Sequence, residues 1–308
     1  MIKLAKIKIG IPRGLYYYYY GTLLEKFFEN LDCEVIISPK TNKEIIDNGI
    51  KYGYSEMCMS LKNYIGHVFY LKDKVDYIVI PRIDNFGYND QTCTNFLAIY
   101  DIINNLFDIK ILDFNIDYTR GEDETKGFIK MGAYLKFNYT TIINSYNKAK
   151  IETMNKETRL IRENSNKLNS DNKKVLIVSH PYNIYDEYIG SPIVKMLEEK
   201  NIDIIYSDLF NKEKTNKLSK KISRNLYFKY NKEIIGSIEL VKNKIDGIIF
   251  LSTFPCGPDS LANELALRKI NLPYINIIID DLSSLTGIET RIESFIDIIN
   301  ERNKTCEK

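Results

Sequence analysis

KKVLIVSHPYNIYDEYIGSPIVKMLEEKNIDIIYSD, residues 173–208, writes a strand, a helix and a second strand in one line. The run VLIV is apolar at every position, and IDIIYSD (202–208) has an apolar centre, Ile204 to Tyr206. Strands buried on both faces have this composition. Between them, Gly190 and Pro192 mark the first turn of a helix over EYIGSPIVKMLEEKN, because proline fits a first turn and not a helix interior. Strand, helix and strand within so short a span predict a parallel pair joined by a helical crossover.

The same rhythm continues on both sides. Downstream, IDGIIFLS (245–252) and PYINIIID (273–280) are predicted strands, each followed by a helix, PDSLANELALRK (258–269) and ETRIESFIDIINERN. Upstream, AKIKIGI (5–11), CEVIISP (33–39), DYIVIPR (76–82) and IKILDF (109–114) are predicted strands. They alternate with helical GLYYYYYGTLLEKFFENL, NKEIIDNGIKYG and CTNFLAIYDIINNLF (93–107). The fold class is therefore α/β: two doubly wound domains with parallel sheets, 1–150 and 173–308. A helical stretch at about 123–150 and a polar linker, IETMNKETRLIRENSNKLNSDN (151–172), join them. Ligands of such sheets bind beyond the carboxyl ends of the strands, and with two domains the cleft between them is the expected site.

Composition removes several classes of function. Of 308 residues, 44% are hydrophobic and 27% charged, enough for a real core, and the net charge is only +2. No basic stripe alternates with aromatics, so nucleic acid is not an expected partner. No apolar run reaches the roughly 18 residues of a membrane span. The opening MIKLAKIKIGIP lacks the apolar stretch and cleavage site of a signal peptide, so a cytoplasmic location is expected. There is no G-x-G-x-x-G, no G-x-x-x-x-G-K-[ST] and no G-x-S-x-G, which leaves dinucleotide, P-loop and serine-hydrolase chemistry without their usual mechanics.

The five cysteines are Cys33, Cys58, Cys93, Cys256 and Cys306. An odd, widely spaced set argues against a disulfide framework. Three fall at strand-to-helix turns or helix starts: Cys58 in YGYSEMCMSLKNYIGH, Cys93 in DNFGYNDQTCTNF and Cys256 in LSTFPCGPDS. A helix N-terminus favours a thiolate, and Gly257 lets the backbone come close to whatever Cys256 holds. Each also reads as a small buried hydrophobe. Together they suggest a shared centre of zinc, Cu(I) or an iron–sulfur cluster, the ions that thiolates select. Three thiolates on a cubane would leave one iron open to water or substrate. Cys33 reads as packing and Cys306 as a bystander near the polar C-terminus.

The chain resembles the 2-hydroxyacyl-CoA dehydratase D-component family, most closely its acyl-CoA dehydratase activase-related branch. IGIPRGLYYYYYGTLLEKFFENLDCEVIISPKTNKEIIDNGI (9–50) is similar to the family opening, G-[IL]-P-R-x-L followed by a tyrosine-rich helix and S-P-x-T-N-K-E. EMCMSLKNYIGHVFYLKDKVDYIVIPRI (56–83) resembles the block E-x-C-x-P-x-K…GH…D-Y-I-F-x-P-R, with Ser60 in place of the proline. VSHPYNIYDEYIGSPIVKMLE, FPCGPDSL and IDDLSSLTGIETRIESFID have counterparts too. The resemblance implies two Rossmann-like domains with an interdomain cleft. It implies a [4Fe-4S] cluster on Cys58, Cys93 and Cys256, low-potential electrons from an ATP-hydrolysing iron–sulfur activator, and reduction of a small-molecule substrate under anaerobic conditions. A double-cubane cluster on six cysteines exceeds the five present and would need ligands from a second subunit, as in a homodimer, or ligands other than cysteine. Alternatives are a subunit of a 2-hydroxyacyl-CoA dehydratase, or a zinc or cluster-free module that binds an activator ATPase.

Other residues belong to the same edge. Lys62 stands one helical turn after Cys58, where both can face one side and the ammonium can offset thiolate charge; it also reads as a solvated helix lysine. Arg13 and Arg82 follow strand-end prolines, Pro12 and Pro81. Both could bind an anion or make a structural salt bridge. His180 ends the first strand of the second domain and, with Arg13 and Lys62, is a catalytic candidate. His67 reads as a structural histidine, Asp259 as a helix cap, and Asp280 or Asp281 as a group facing the cleft, with Tyr182 and Tyr185 on its rim. In the run Tyr16–Tyr20 helical spacing groups Tyr16 with Tyr19 and Tyr20, so Tyr16 or Tyr20 is expected to line the site.

Overall fold

A computed structural model describes residues 5–280 and 285–306 of the chain. Contacts divide it into two compact units, Met1–Lys156 and Glu157–Lys308. The first unit contains β1 (Lys8–Ile11), α1 (Tyr17–Asn30), β2 (Glu34–Ile37), α2 (Lys43–Tyr52), α3 (Met59–Leu71), β3 (Tyr77–Asn85), α4 (Thr94–Leu106), β4 (Ile111–Asp117), α5 (Glu124–Tyr134) and the start of α6 (Tyr139–Lys167). The second contains the end of α6, then β5 (Lys174–Val178), α7 (Pro181–Ile184), α8 (Ser191–Glu199), β6 (Asp203–Tyr206), α9 (Lys212–Ile222), α10 (Lys229–Val241), β7 (Gly247–Thr253), α11 (Gly257–Leu267), β8 (Tyr274–Ile279) and α12 (Leu285–Cys306).

Each unit holds a four-stranded, wholly parallel sheet, ordered β2-β1-β3-β4 and β6-β5-β7-β8. This is the predicted α/β, Rossmann-like class. The strand order reverses between β1 and β3, and again between β5 and β7, which sets the ligand-binding end of each sheet. The apolar runs explain the layering. In the second unit Val175, Ile177, Ile249 and Leu251 pack on one face with Ile193 and Leu197 of α8 and Ile292 and Phe295 of α12. Their neighbours Leu176, Val178, Ile248 and Phe250 pack on the other with Ile234 and Ile238 of α10 and Ala262 of α11. Successive strand residues point to opposite faces, so a continuous apolar run fills both layers.

The stretch 151–172, expected as a linker, is helical through Lys167. Its polar sequence is compatible with a helix because its ends are docked. Ile142 and Ala149 are buried near the start, and near the end the Asn164 amide donates to the Tyr206 and Leu209 carbonyls while accepting from the Tyr206 N–H. The pair α9 and α10 was not foreseen. The lysine-rich α9 buries only Thr215, Ser219 and Ile222, too few and too polar a face to give a helical hydrophobic pattern.

The α2–α3 and α9–α10 hairpins are built alike. A Cβ on Gly66 would stand 1.9 Å from the Ile45 carbonyl oxygen, and one on Gly236 1.9 Å from that of Thr215. Each glycine lies eight residues past its helix cap, Cys58 or Phe228. Gly66→Ala or Gly236→Ala must push two backbones apart. The expected loss is about 2 kcal/mol, a drop of roughly 4–8 °C in the thermal midpoint. An unchanged midpoint would contradict this packing.

Candidate functional site

At the carboxyl edge of the first sheet the chain leaves β1 through Pro12, Arg13 and Gly14. The Arg13 N–H donates to Ser38 Oγ at 2.7 Å, and its Nε to the Ser38 carbonyl at 3.0 Å. The guanidinium lies over the Tyr17 ring, 5.1 Å from its centroid. Arg13 thus ties the ends of β1 and β2 together. Arg82 has the structural role foreseen as its alternative, pairing with Asp101 of α4 at 3.0 Å and covering the Tyr100 ring.

His67 is fully buried. Its Nδ1 meets Ser38 Oγ at 2.9 Å and its Nε2 meets Thr41 Oγ1 at 3.1 Å. Burial, aided by the charge of Arg13, lowers its pKa to about 3, so the ring is neutral at ordinary pH. This is the structural histidine the sequence suggested.

Cys58, Cys93 and Cys256 occupy one kind of position. Each is the cap preceding a helix, α3, α4 and α11 respectively, with extended backbone and no side-chain capping bond. Other helices are capped by Asn42, Asp123 and Asn211, whose side chains accept first-turn N–H bonds. Cys93 and Cys256 stand at corresponding places, at the head of the helix after the third strand of each sheet. None of the three is in a disulfide, and all are half-buried. First-turn N–H groups and the helix dipole favour an anion at each. Among the described residues, however, no three histidine, cysteine, aspartate or glutamate side chains form a preformed metal group. A Cβ on Gly257 would meet nothing within 4 Å, so the backbone beside Cys256 is open. Cys33 is packing, as expected: buried, with a thiol pushed up to about 11 by burial and then by Asp32. The Cys306 side chain lies outside the described atoms.

Lys62, expected either beside the thiolates or in solvent, is buried. Its stem packs under the turn from α2, with Cγ 3.2 Å from where a Cβ on Gly53 would stand.

In the second unit the switch point is spanned by a buried polar chain that the sequence showed only in part. His180 caps α7 just beyond β5, and its Nε2 lies 2.8 Å from Asp259 Oδ1. The Asn231 amide of α10 donates to the same oxygen at 2.7 Å, and the Cys256 thiol also bonds to this carboxylate. All of Asp259, His180 and Asn231 are buried. Burial alone would raise the Asp259 carboxyl, but the charge and hydrogen bond of His180, with bonds from Asn231 and Cys256, hold it below the usual carboxylate range. Facing an ionised acceptor, His180 Nε2 carries the hydrogen. Asp259 is therefore the anchor of His180, not the helix cap foreseen, because three donors converge on it. Tyr182 stacks on the His180 ring at 4.9 Å. Tyr185 donates to both oxygens of Asp208 at 3.3 Å, and burial raises the Asp208 carboxyl against the pull of Lys212. No sequence signal pointed to Asn231, which lies in an unforeseen helix. Asp281 lies outside the described residues.

Within the tyrosine run, Tyr16 and Tyr20 are buried and the middle three half-exposed. The Tyr16 hydroxyl donates to the Phe96 carbonyl at 2.7 Å, and burial followed by the nearness of Cys93 raises its pKa well above normal. Tyr20 packs edge-on to Phe114 in the core. Tyr16 is thus the member of the run beside a candidate cysteine.

Residues 8–210 match the family model described as the CoA enzyme activase uncharacterised domain. No curated protein matches the chain. Among solved structures, similarity extends to the crystal structure of ZnuA at 11% identity and TM-score 0.30, covering 96% of this chain and 99% of that one. Zn(II)-bound AdcA from Streptococcus pneumoniae matches at 12% and 0.28, covering 99% and 58%. The solute-binding protein FpvC with Ni2+ from P. aeruginosa matches at 10% and 0.30, covering 98% and 98%.

Proposed function

The chain belongs to the CoA enzyme activase uncharacterised-domain family, and from that premise we propose that it is an iron–sulfur protein of the activase-related type, with Cys58, Cys93 and Cys256 as ligands of a [4Fe-4S] cluster. The observation that supports this most is the shared position of the three cysteines, each at the head of a helix without a side-chain capping bond. Three soft donors, with an anion-favouring helix end behind each, suit such a group. Bound there, the cluster would supply one-electron chemistry at low potential, with an ATP-hydrolysing iron–sulfur activator as electron donor and a small molecule as substrate.

The chain's own residues have distinct tasks in this reading. Lys62 offsets negative charge close to Cys58. Arg13 keeps a cation at the β1 edge, held by Ser38. Asp259 holds a proton on Nε2 of His180 and so fixes the tautomer of this catalytic candidate of the second unit.

Anaerobic reconstitution of the full chain tests the proposal. About four irons and four sulfides per chain are expected, and each of Cys58→Ser, Cys93→Ser and Cys256→Ser should lose most of that iron. One zinc per chain, or no metal and normal folding of the triple variant, would instead favour a binding module. The family's description as a CoA enzyme activase domain favours one further reading, a component of a two-subunit 2-hydroxyacyl-CoA dehydratase. Recovery of a paralogous subunit with turnover of a hydroxyacyl-CoA would establish it.

A further inference from the structure

The sheet of the second unit ends at β8, which pairs with β7 and with no other strand among the described residues. The Ile248 N–H donates to the Pro273 carbonyl and the Phe254 N–H to the Ile279 carbonyl. Backbone groups alternate in direction along a strand, so Ile275, Ile277 and Ile279 bond to β7. Tyr274, Asn276 and Ile278 turn their N–H and C=O groups to the open side. Such an edge invites another strand, and folded proteins generally blunt it. The opposite edge of the same sheet is blunted. At β6, Asn164 bonds both the N–H and the C=O of Tyr206, and Lys167 donates to the Ile204 carbonyl at 3.4 Å. Charge serves the same end elsewhere: β2 carries Glu34, β4 Asp113 and Asp117, and β6 Asp203. In β8, YINIII, there is no charged residue. Arg291 of α12 reaches this edge at one point, donating to the Asn276 carbonyl at 2.7 Å, and that oxygen has a second lone pair to offer.

The side chains along the edge form a row on one face, because residues two apart in a strand point the same way. Tyr274 is 50% exposed and Ile278 47%. Between them, the Asn276 amide oxygen is buried and has no hydrogen-bond partner among the described residues. This row is its own complement. A two-fold axis at Asn276 lays a second β8 antiparallel to the first. Tyr274 then stands opposite the partner's Ile278, an aromatic against a β-branched side chain, which is a favoured cross-strand pair. Asn276 stands opposite the partner's Asn276, with Cβ atoms about 5 Å apart, within reach of an amide-to-amide hydrogen bond for the unpaired oxygen. Charge also permits the pairing. On β4 the same operation at Asn115 would set Asp113 against the partner's Asp117, a repulsive pair, whereas β8 sets no charge against its copy.

We propose that β8 is a dimerisation strand, which pairs with β8 of a second copy of this chain and joins the two four-stranded sheets into one. Both copies use the same surface, as a two-fold interface requires. The inference stands independently of the iron–sulfur reading.

Sedimentation of the full chain over a wide concentration range tests it, with circular dichroism to verify folding. Wild type should be a dimer. Ile278→Lys, which puts a charge on the paired edge, should keep its secondary structure and weaken the dimer at least about tenfold. Asn276→Cys should form a disulfide-linked dimer on mild oxidation, because residues facing each other there have Cα atoms about 5.5 Å apart; wild type under the same oxidant controls for the native cysteines. A wild type that stays monomeric would overturn the inference and leave the edge to a strand from a different protein. A dimer that Ile278→Lys does not weaken, with no added cross-link through Asn276→Cys, would also overturn it by placing the interface elsewhere.

Discussion

Replacing Asp259 with alanine is expected to destabilise the second unit by about 3–5 kcal/mol, a large fraction of a domain's stability. One carboxylate oxygen accepts from both His180 and Asn231. All three side chains are buried, so water cannot replace the lost acceptor. Each orphaned donor is worth about 1–3 kcal/mol. His180 would also lose what fixes its tautomer, and Cys256 its thiol partner. Urea unfolding of Asp259→Ala and Asp259→Asn measures the effect. The asparagine variant keeps the shape and one acceptor, so it should fall between wild type and alanine. A loss below about 1 kcal/mol for alanine would mean that the His180–Asp259 contact does not hold the switch point together.

The second large effect is acid sensitivity of the first unit. His67 is neutral when folded, with its pKa lowered to about 3 by burial and by Arg13. In the unfolded chain it titrates near 6.5. Between those values the unfolded state binds a proton that the folded state refuses, so stability falls as pH falls. The contribution is fully present above about pH 6.5. About 2 kcal/mol of it is lost by pH 5, and about 5 kcal/mol by pH 3, at ~1.4 kcal/mol per tenfold change in proton activity. In His67→Gln, which keeps polar contact with Ser38 and Thr41, the difference in stability between pH 7.5 and 5.0 should shrink by about 2 kcal/mol. Parallel curves for variant and wild type would show that His67 is not buried as a neutral ring.

Much of the fold was legible because apolar runs dictate buried parallel strands. VLIV of β5 and IIFL of β7 cannot face water on either side, and both lie in the centre of a sheet. The caps were legible for a similar reason: a cysteine directly between a strand and a helical pattern must fall near the helix head. What escaped notice depends on long-range contacts. The α9–α10 hairpin buries few positions of a lysine-rich stretch, so its periodicity was faint. The 151–172 segment is polar throughout, and only docking partners such as Tyr206, remote in sequence, keep its helix running. At the site, Asp259 occupied a capping position by sequence. Its true partners lie 79 and 28 residues away, a separation that no local pattern encodes. The tyrosine run shows the same limit. Helical spacing separated Tyr16 and Tyr20 from Tyr17 and Tyr18, but only the fold places Tyr16 near Cys93 and Tyr20 against Phe114.

The central claim is that Cys58, Cys93 and Cys256 together hold one iron–sulfur cluster. An anaerobic crystal structure with anomalous scattering measured at the iron edge tests it directly. The account predicts one iron-rich anomalous peak with all three Sγ atoms at bonding distance. A zinc ion in that place, a cluster on other residues, or three thiols with no anomalous density between them in reconstituted protein would contradict it.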